Sequence, residues 1–204
     1  VYIRTPKGNM DVKLLGDNIT DAYNTVTAVA ALEEFGLTAD AISRSFEKMQ
    51  IAGTRFGCVE VNGRKIITDV AKGQNPIAVS RVCDFVRHEP GKKAVVLILD
   101  DYFDRQDSSE NIAWFFDTDF EFLNDPGITQ IVVGGPRCMD MHLRLLMAGI
   151  PEEKIICCDE EPDTEKYVDL NKAEHVYILH DIYTTQYARA IQKNLGEHLK
   201  KEGR

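Results

Sequence analysis

Hydrophobic and polar positions fall into two textures along the chain, and the change comes near residues 52 to 54. Residues 1–15 alternate weakly and read as a strand or two. GDNITDAYNTVTAVAALEEFGL then spaces its apolar residues at helical intervals. Thr20 or Asp21 is available to cap that helix, and Gly36 to stop it. TADAISRSFEKM reads as a second short helix with Thr38 at its cap. From Thr54 the pattern shortens. FGCVEVNGRKIITDV is two strand-like runs joined by Asn62-Gly63, a strong hairpin signal. After it the period alternates between helix and strand. NPIAVSRVCDFVRH, SSENIAWFFDTDFEFL, CMDMHLRLLMAG, PDTEKYVDLNKA and YTTQYARAIQKNLGEHLKK read as helices. AVVLIL, ITQIVVGG, KIICC and HVYILH read as strands. Unbroken apolar runs separated by helices predict an α/β fold: a Rossmann-like, mostly parallel sheet flanked by helices and opened by a β-hairpin. Residues 1–52 form a leading, largely helical piece, and residues 53–204 the α/β domain.

Composition narrows this only a little. The 204 residues are 44% hydrophobic and 28% charged, ordinary for a globular protein. A net charge of -9 argues against nucleic acid as the main partner. No apolar run approaches bilayer length, and the opening VYIRTPKGNMDVKLLG has no apolar signal core. The chain begins on a strand-like segment without an initiator Met, as expected for a fragment of something longer. The cysteines are Cys58, Cys83, Cys138, Cys157 and Cys158. Their odd number and the lack of a C-x-x-C pair argue for reduced thiols and a cytoplasmic location. Cys157 and Cys158, in KIICCD, read as buried small hydrophobes.

In a parallel sheet, reactive groups collect beyond the carboxyl ends of the strands. Four candidates lie there. IVVGGPRCMD sets a glycine pair and Arg137 between strand and helix, where backbone amides offer an anion cradle; common turn chemistry is the plainer reading. DDYFDRQDSSENIAWFFDTDFEFL crowds carboxylates around the only Trp, after the strand that ends at Asp100. Magnesium chemistry wants carboxylates converging on one ion. Asp100 and Asp101 are neighbours that point opposite ways on an extended chain. Asp117 and Asp119 do not share a helix face. Solvated turn carboxylates are the plainer reading, and no metal site is expected. His142, His175 and His180 are scattered, and no G-x-S-x-G elbow exists, so no self-contained triad is expected. Last, in GTRFGCVEVNGRKIITDVAKGQNP an Arg heads a strand, an Asp ends its partner, and Asn75-Pro76 suits N-cap then N1 of a helix. Arg55, Asp69 and Lys72 would gather at one edge, facing a partner domain.

This last segment resembles the C-terminal part of the Mur ligases. Gly53-Thr54-Arg55-Phe56 matches their G-R-F-E-like stretch. Asp69 to Pro76 matches D-Y-A-H-N-P, with Lys72 in the His position and one extra residue before Asn75. GDNITDAYNTVTAVAALEEFGL is similar to the family's G-x-x-N-x-x-N-x-x-A-A helix at the end of the central ATPase domain, with Asn18 and Asn24 in the asparagine positions. Within the family the chain is most similar to the MurT type. LDDYFDRQDSSENIAWFFDTDFE follows that type's L-N-D-x-x-A-D-G-x-D-x-S-W-x-W-D-x-D-F-E, with Asp100 for the usual Asn and a longer gap between Asp107 and Trp114. VVGGPRCMDMHLRLLMAG and IYTTQYARAIQKNL match two further motifs in the same order.

The resemblance implies a chemistry. ATP, with Mg²⁺, phosphorylates a carboxylate, and an amine attacks the acyl phosphate. The P-loop belongs to a central domain of which residues 1–52 would be the end, so this fragment alone is expected to be inactive and to hold no cofactor. Arg55 matches an Arg near the nucleotide, and Asp69, Lys72 and Asn75 lie on the loop at the domain junction. The MurT type amidates the D-glutamate of the lipid II peptide, in peptidoglycan synthesis, with ammonia from a GatD-type glutaminase. An Asp of the MurT-type subunit completes that partner's Cys-His pair; Asp117 is the first match for it and Asp107 the second. Two alternatives stand beside this reading: a ligase-like docking module without chemistry, and a Mg-dependent phosphatase-like domain.

Overall fold

The computed structural model describes residues 1–14, 19–49, 56–71, 74–99 and 112–202. They divide into two compact units, Val1–Gly53 and Thr54–Arg204. In the first, strands β1 (Tyr2–Thr5) and β2 (Gly8–Asp11) pair antiparallel and precede helices α1 (Ile19–Glu34) and α2 (Ala39–Lys48). Thr20 and Asp21 therefore fall inside the first turn of α1. Gly36 ends the helix at φ +85°, a conformation that favours glycine. Thr38 caps α2 through its hydroxyl, which accepts from Ala41 N at 3.3 Å. Ile3, Met10, Val12, Val29, Ile42 and Phe46 form a small core of their own.

The second unit opens with a hairpin, β3 (Phe56–Val61) and β4 (Arg64–Val70). Asn62 and Gly63 both take positive φ, 52° and 75°, as the tight turn between twisted strands requires. The remaining strands are β5 (Lys93–Ile98), β6 (Ile128–Gly134), β7 (Ile155–Cys158) and β8 (His175–His180). The helices are α3 (Pro76–His88), α4 (Ala113–Asp117), α5 (Cys138–Met147) and α6 (Thr185–Glu202). Among the described residues the sheet has six strands, in the order β3-β4-β8-β5-β6-β7. Only the hairpin pair is antiparallel.

All six residues of β5 are buried, which is why its sequence shows no polar alternation. Its side chains still alternate in space. Val95 and Leu97 join one core with α3, α4 and α5; Ala94, Val96 and Ile98 join the other with α6. Lys93, 2% exposed, donates its ammonium to the Arg87 and Glu89 carbonyls and so closes the end of α3.

Two expected helices differ. The run through DTDFEFL is not continuous: α4 stops at Asp117, and a 3-10 turn, Phe120–Leu123, follows. PDTEKYVDLNKA forms only a 3-10 stretch, Glu161–Tyr167. Buried Gln130 on β6 takes over beyond it, donating to Tyr167 O and accepting from Asp169 N. Cys158 is buried as expected, but Cys157 only partly so.

Candidate functional site

Strands β8 and β5 are neighbours, yet the helices that follow them cover opposite faces of the sheet. A ligand crevice is expected at such a switch point. Here the turn after β8 spans it. Thr184 Oγ1 donates to Ile98 O at 2.7 Å and accepts from Asp181 N at 3.0 Å, while Ala71 N reaches His180 O at 2.9 Å. Asp181 is buried, and its carboxylate accepts from Tyr183 N. His180 is buried too, with Nδ1–H donating to Asp181 O at 2.8 Å. Burial, and after it the charge of Arg189, holds its imidazole below the ordinary range, against the pull of that carbonyl.

The glycine pair serves packing. A Cβ at Gly134 would run into the Thr164 methyl. The amides of Gly135 and Cys138 are taken by Cys158 O and Gly135 O, so neither is open to an anion. Arg137 lies 3.7 Å from Asp140. Nearby, the Cys138 thiol points at Asp159 and is pushed up to about 12 by burial first, then by Cys157 and Asp159; burial also raises Cys157. Neither is a ready nucleophile.

Of the loop matched to the nucleotide side, Arg55 and Lys72 lie outside the described residues. Asp69 is half-buried, next to last in β4. Asn75 caps α3, its side-chain oxygen accepting from Ala78 N at 3.1 Å, with Pro76 at the first helical position. Gln74, just before it, has φ +61°, a strained backbone for a non-glycine. Asp107 also lies outside the described residues, as do Asp100, Asp101 and Asp104. Among those described, no group of three or more His, Cys, Asp or Glu is placed to hold a metal ion. A cleft of about 380 Å³, lined by Lys166, Asp169, Asn171 and His198, lies between the segment that leads into β8 and α6.

Asp117 is exposed at the last position of α4. A carboxylate there works against the helix dipole, so the helix does not account for it. The backbone around it is firmly held. Arg144 on α5, 5% exposed, donates from Nε to Phe115 O at 3.0 Å and from Nη2 to Thr118 O at 2.7 Å. Glu121 closes the same guanidinium at 2.9 and 2.8 Å. That bond holds the Glu121 carboxyl below the ordinary carboxylate range. Thr118, buried, returns its hydroxyl to Trp114 O at 2.8 Å, and Asp119 N donates to Ser80 Oγ on α3 at 2.9 Å. Phe115 and Phe120 anchor the turn in the core, and Trp114 meets Phe115 edge-on at 4.4 Å. Sequence reasoning passed over Arg144, Thr118, Glu121 and Ser80. A signal existed for Arg144: the inward positions of α5 are Cys138, Met141 and Leu145, and position 144 falls on that stripe.

The family model described as MurT ligase C-terminal matches residues 73–185. The chain is 29% identical over 169 residues to "Lipid II isoglutaminyl synthase (glutamine-hydrolyzing) subunit MurT" of Staphylococcus aureus (strain COL), covering 83% of this chain and 37% of that protein. It is 27% identical over 158 residues to the protein of the same description from Streptococcus pneumoniae (strain ATCC BAA-255 / R6), covering 77% of this chain and 34% of that one. The chain thus spans little more than a third of the length of these curated relatives. Among solved structures it resembles MurF from Acinetobacter baumannii, with a TM-score of 0.66, 17% identity and coverage of 96% of this chain and 42% of that chain. It also resembles the ligase MurC from Thermotoga maritima, at 0.60, 13%, 93% and 40%. At these identities the solved structures establish the fold: the α/β architecture of Mur ligases, with the mostly parallel sheet and hairpin expected from the sequence.

Proposed function

Because the chain belongs to the MurT ligase C-terminal family, we propose that it is the C-terminal part of an ATP-dependent amidotransferase subunit that works with a GatD-type glutaminase in the cytoplasm. The reaction is amidation of the D-glutamate of the lipid II peptide, with ammonia released from glutamine. Residues 1–52 are the end of the central ligase domain, and residues 53–204 the C-terminal domain. ATP and Mg²⁺ bind mainly upstream of this chain. Arg55, Asp69, Lys72 and Asn75 face the nucleotide side when the domains close. Of these four, Asp69 and Asn75 are among the described residues, Asp69 half-buried in β4 and the Asn75 carboxamide oxygen engaged in the helix cap.

One observation carries the reading: Asp117 is an exposed carboxylate on a rigid turn, inside the run that matches the MurT type. An orienting carboxylate fixes the tautomer of a catalytic imidazole and stabilises the imidazolium. For that it has to be accessible and carried on a fixed backbone; the exposure of Asp117 and the bonds to Phe115 O and Thr118 O support the reading. Asp107 is the second choice. No helix among the described residues is long and apolar enough to cross a membrane.

The test uses the full-length subunit with its glutaminase. Asp117→Ala is expected to lower glutamine hydrolysis by roughly 10²- to 10⁴-fold, with the complex still forming. Equal rates for wild type and variant, in a complex of equal affinity, would remove Asp117 from the role. Asp107→Ala then becomes the next variant to measure.

A further inference from the structure

We propose that Arg144 is a positioning residue for Asp117, setting where that carboxylate stands without touching it. The inference rests on the reading of Asp117 as a carboxylate lent to the partner's histidine.

The geometry is specific. Phe115 and Thr118 bracket Asp117 in sequence, and Arg144 holds the carbonyl of each, at 3.0 and 2.7 Å. A planar guanidinium has donors fixed in a fork, so two carbonyls bound to it are fixed relative to each other. The peptide that carries Asp117 lies between those two points. Ser80 holds the next amide, Asp119 N, from α3. Two different helices therefore fix one short stretch of backbone, α5 on both sides of the carboxylate's attachment and α3 just after it.

Charge supports the same division of labour. A buried guanidinium needs a counter-charge. Glu121 supplies it with both carboxylate oxygens, at 2.9 and 2.8 Å. No bond from Arg144 to the Asp117 carboxylate is part of this network. Arg144 therefore acts on the backbone that carries Asp117 and spends its charge on Glu121. The same bonds satisfy carbonyls at the end of α4, so positioning is separated from stability by the kinetics rather than by folding.

The decisive measurement is glutamine hydrolysis by the full-length subunit in complex with its glutaminase, together with the affinity of that complex. Arg144→Lys keeps the charge and removes the fork. A misplacement of about 1 Å can cost on the order of 100-fold. We therefore expect kcat to fall roughly 10- to 100-fold with KM for glutamine and complex affinity unchanged. In the Asp117→Ala background, Arg144→Lys is expected to add nothing, because residues acting as one unit are not additive. Ser80→Ala leaves Arg144 in place and releases only the Asp119 amide; it is expected to lower kcat about 3- to 10-fold, and it decides the matter if Arg144→Lys does not fold. Three outcomes overturn the inference. An equal loss from Arg144→Lys with and without Asp117 means the arginine acts elsewhere. Wild-type kcat for both Arg144→Lys and Ser80→Ala, with Asp117→Ala impaired, sinks the inference and leaves the lending role intact. Wild-type rates for Asp117→Ala sink that role and this inference with it.

Discussion

At Asp181 the carboxylate builds its own turn. It is buried and accepts from Tyr183 N, while its backbone amide binds Thr184 and is tied through that hydroxyl to β5. At Asp117 the turn is built by others. Arg144, Thr118 and Ser80 hold the backbone, and the acid itself is exposed. Both turns are rigid, but only the second leaves a carboxylate over. An acid spent on local hydrogen bonds stabilises the fold; an acid displayed by bonds it does not make is available to another molecule. The difference lies in which group closes the turn, and sequence spacing does not reveal it.

Thr184→Val tests the closed turn hardest. The change is nearly isosteric but removes the hydroxyl bonds and leaves Ile98 O and Asp181 N only their 3.3 Å bond to each other, so about 1.5 kcal/mol of stability should be lost in urea denaturation. An unchanged midpoint would mean the turn is not closed through Thr184. A smaller effect should come from His180. Its imidazole titrates below the ordinary range in the folded state. Below about pH 6.5 the unfolded chain therefore takes up a proton that the folded protein resists. Stability from this group is complete above that pH and declines as pH falls toward the folded value, at no more than about 1.4 kcal/mol per pH unit. The stability advantage of wild type over His180→Asn should narrow between about pH 7 and pH 5; a constant gap would contradict the assignment. Smallest of all is Asp117→Asn. If the acid contributes nothing to its own turn, the unfolding free energy should stay within about 0.5 kcal/mol of wild type. A larger loss would make Asp117 a structural residue like Asp181 and erase the contrast.

Local chemistry was legible wherever the residue itself decides the backbone. Asn62-Gly63 supplied the hairpin and Asn75-Pro76 the start of α3, each by steric or capping rules that act within a few residues. The α/β architecture followed from β5 and β6, too apolar to face water. Helix continuity failed where distant side chains intervene. Nothing in FDTDFEFL announces that Ser80, 39 residues earlier, will take the Asp119 amide. Nor does PDTEKYVDLNKA reveal that Gln130 will stop its helix. The candidate site divides the same way. Asp117 was singled out by its motif, but the arginine beneath it, in HLRLLM, reads as one more polar residue on a helix until its place on the inward stripe is counted.

The strand order carries a consequence for how the protein is made. Of the six described strands of this sheet, β8 is made last, and it is the one that sits between β4 and β5. Until it arrives, each of those strands presents a bare edge where its neighbour will be. A nascent chain halted before His175 is therefore not a smaller version of the domain. It is a hairpin and a separate βα layer, each with an open seam, waiting for one strand to join them. Closing that gap so late is the kind of step that slows folding and exposes the unfinished chain to aggregation.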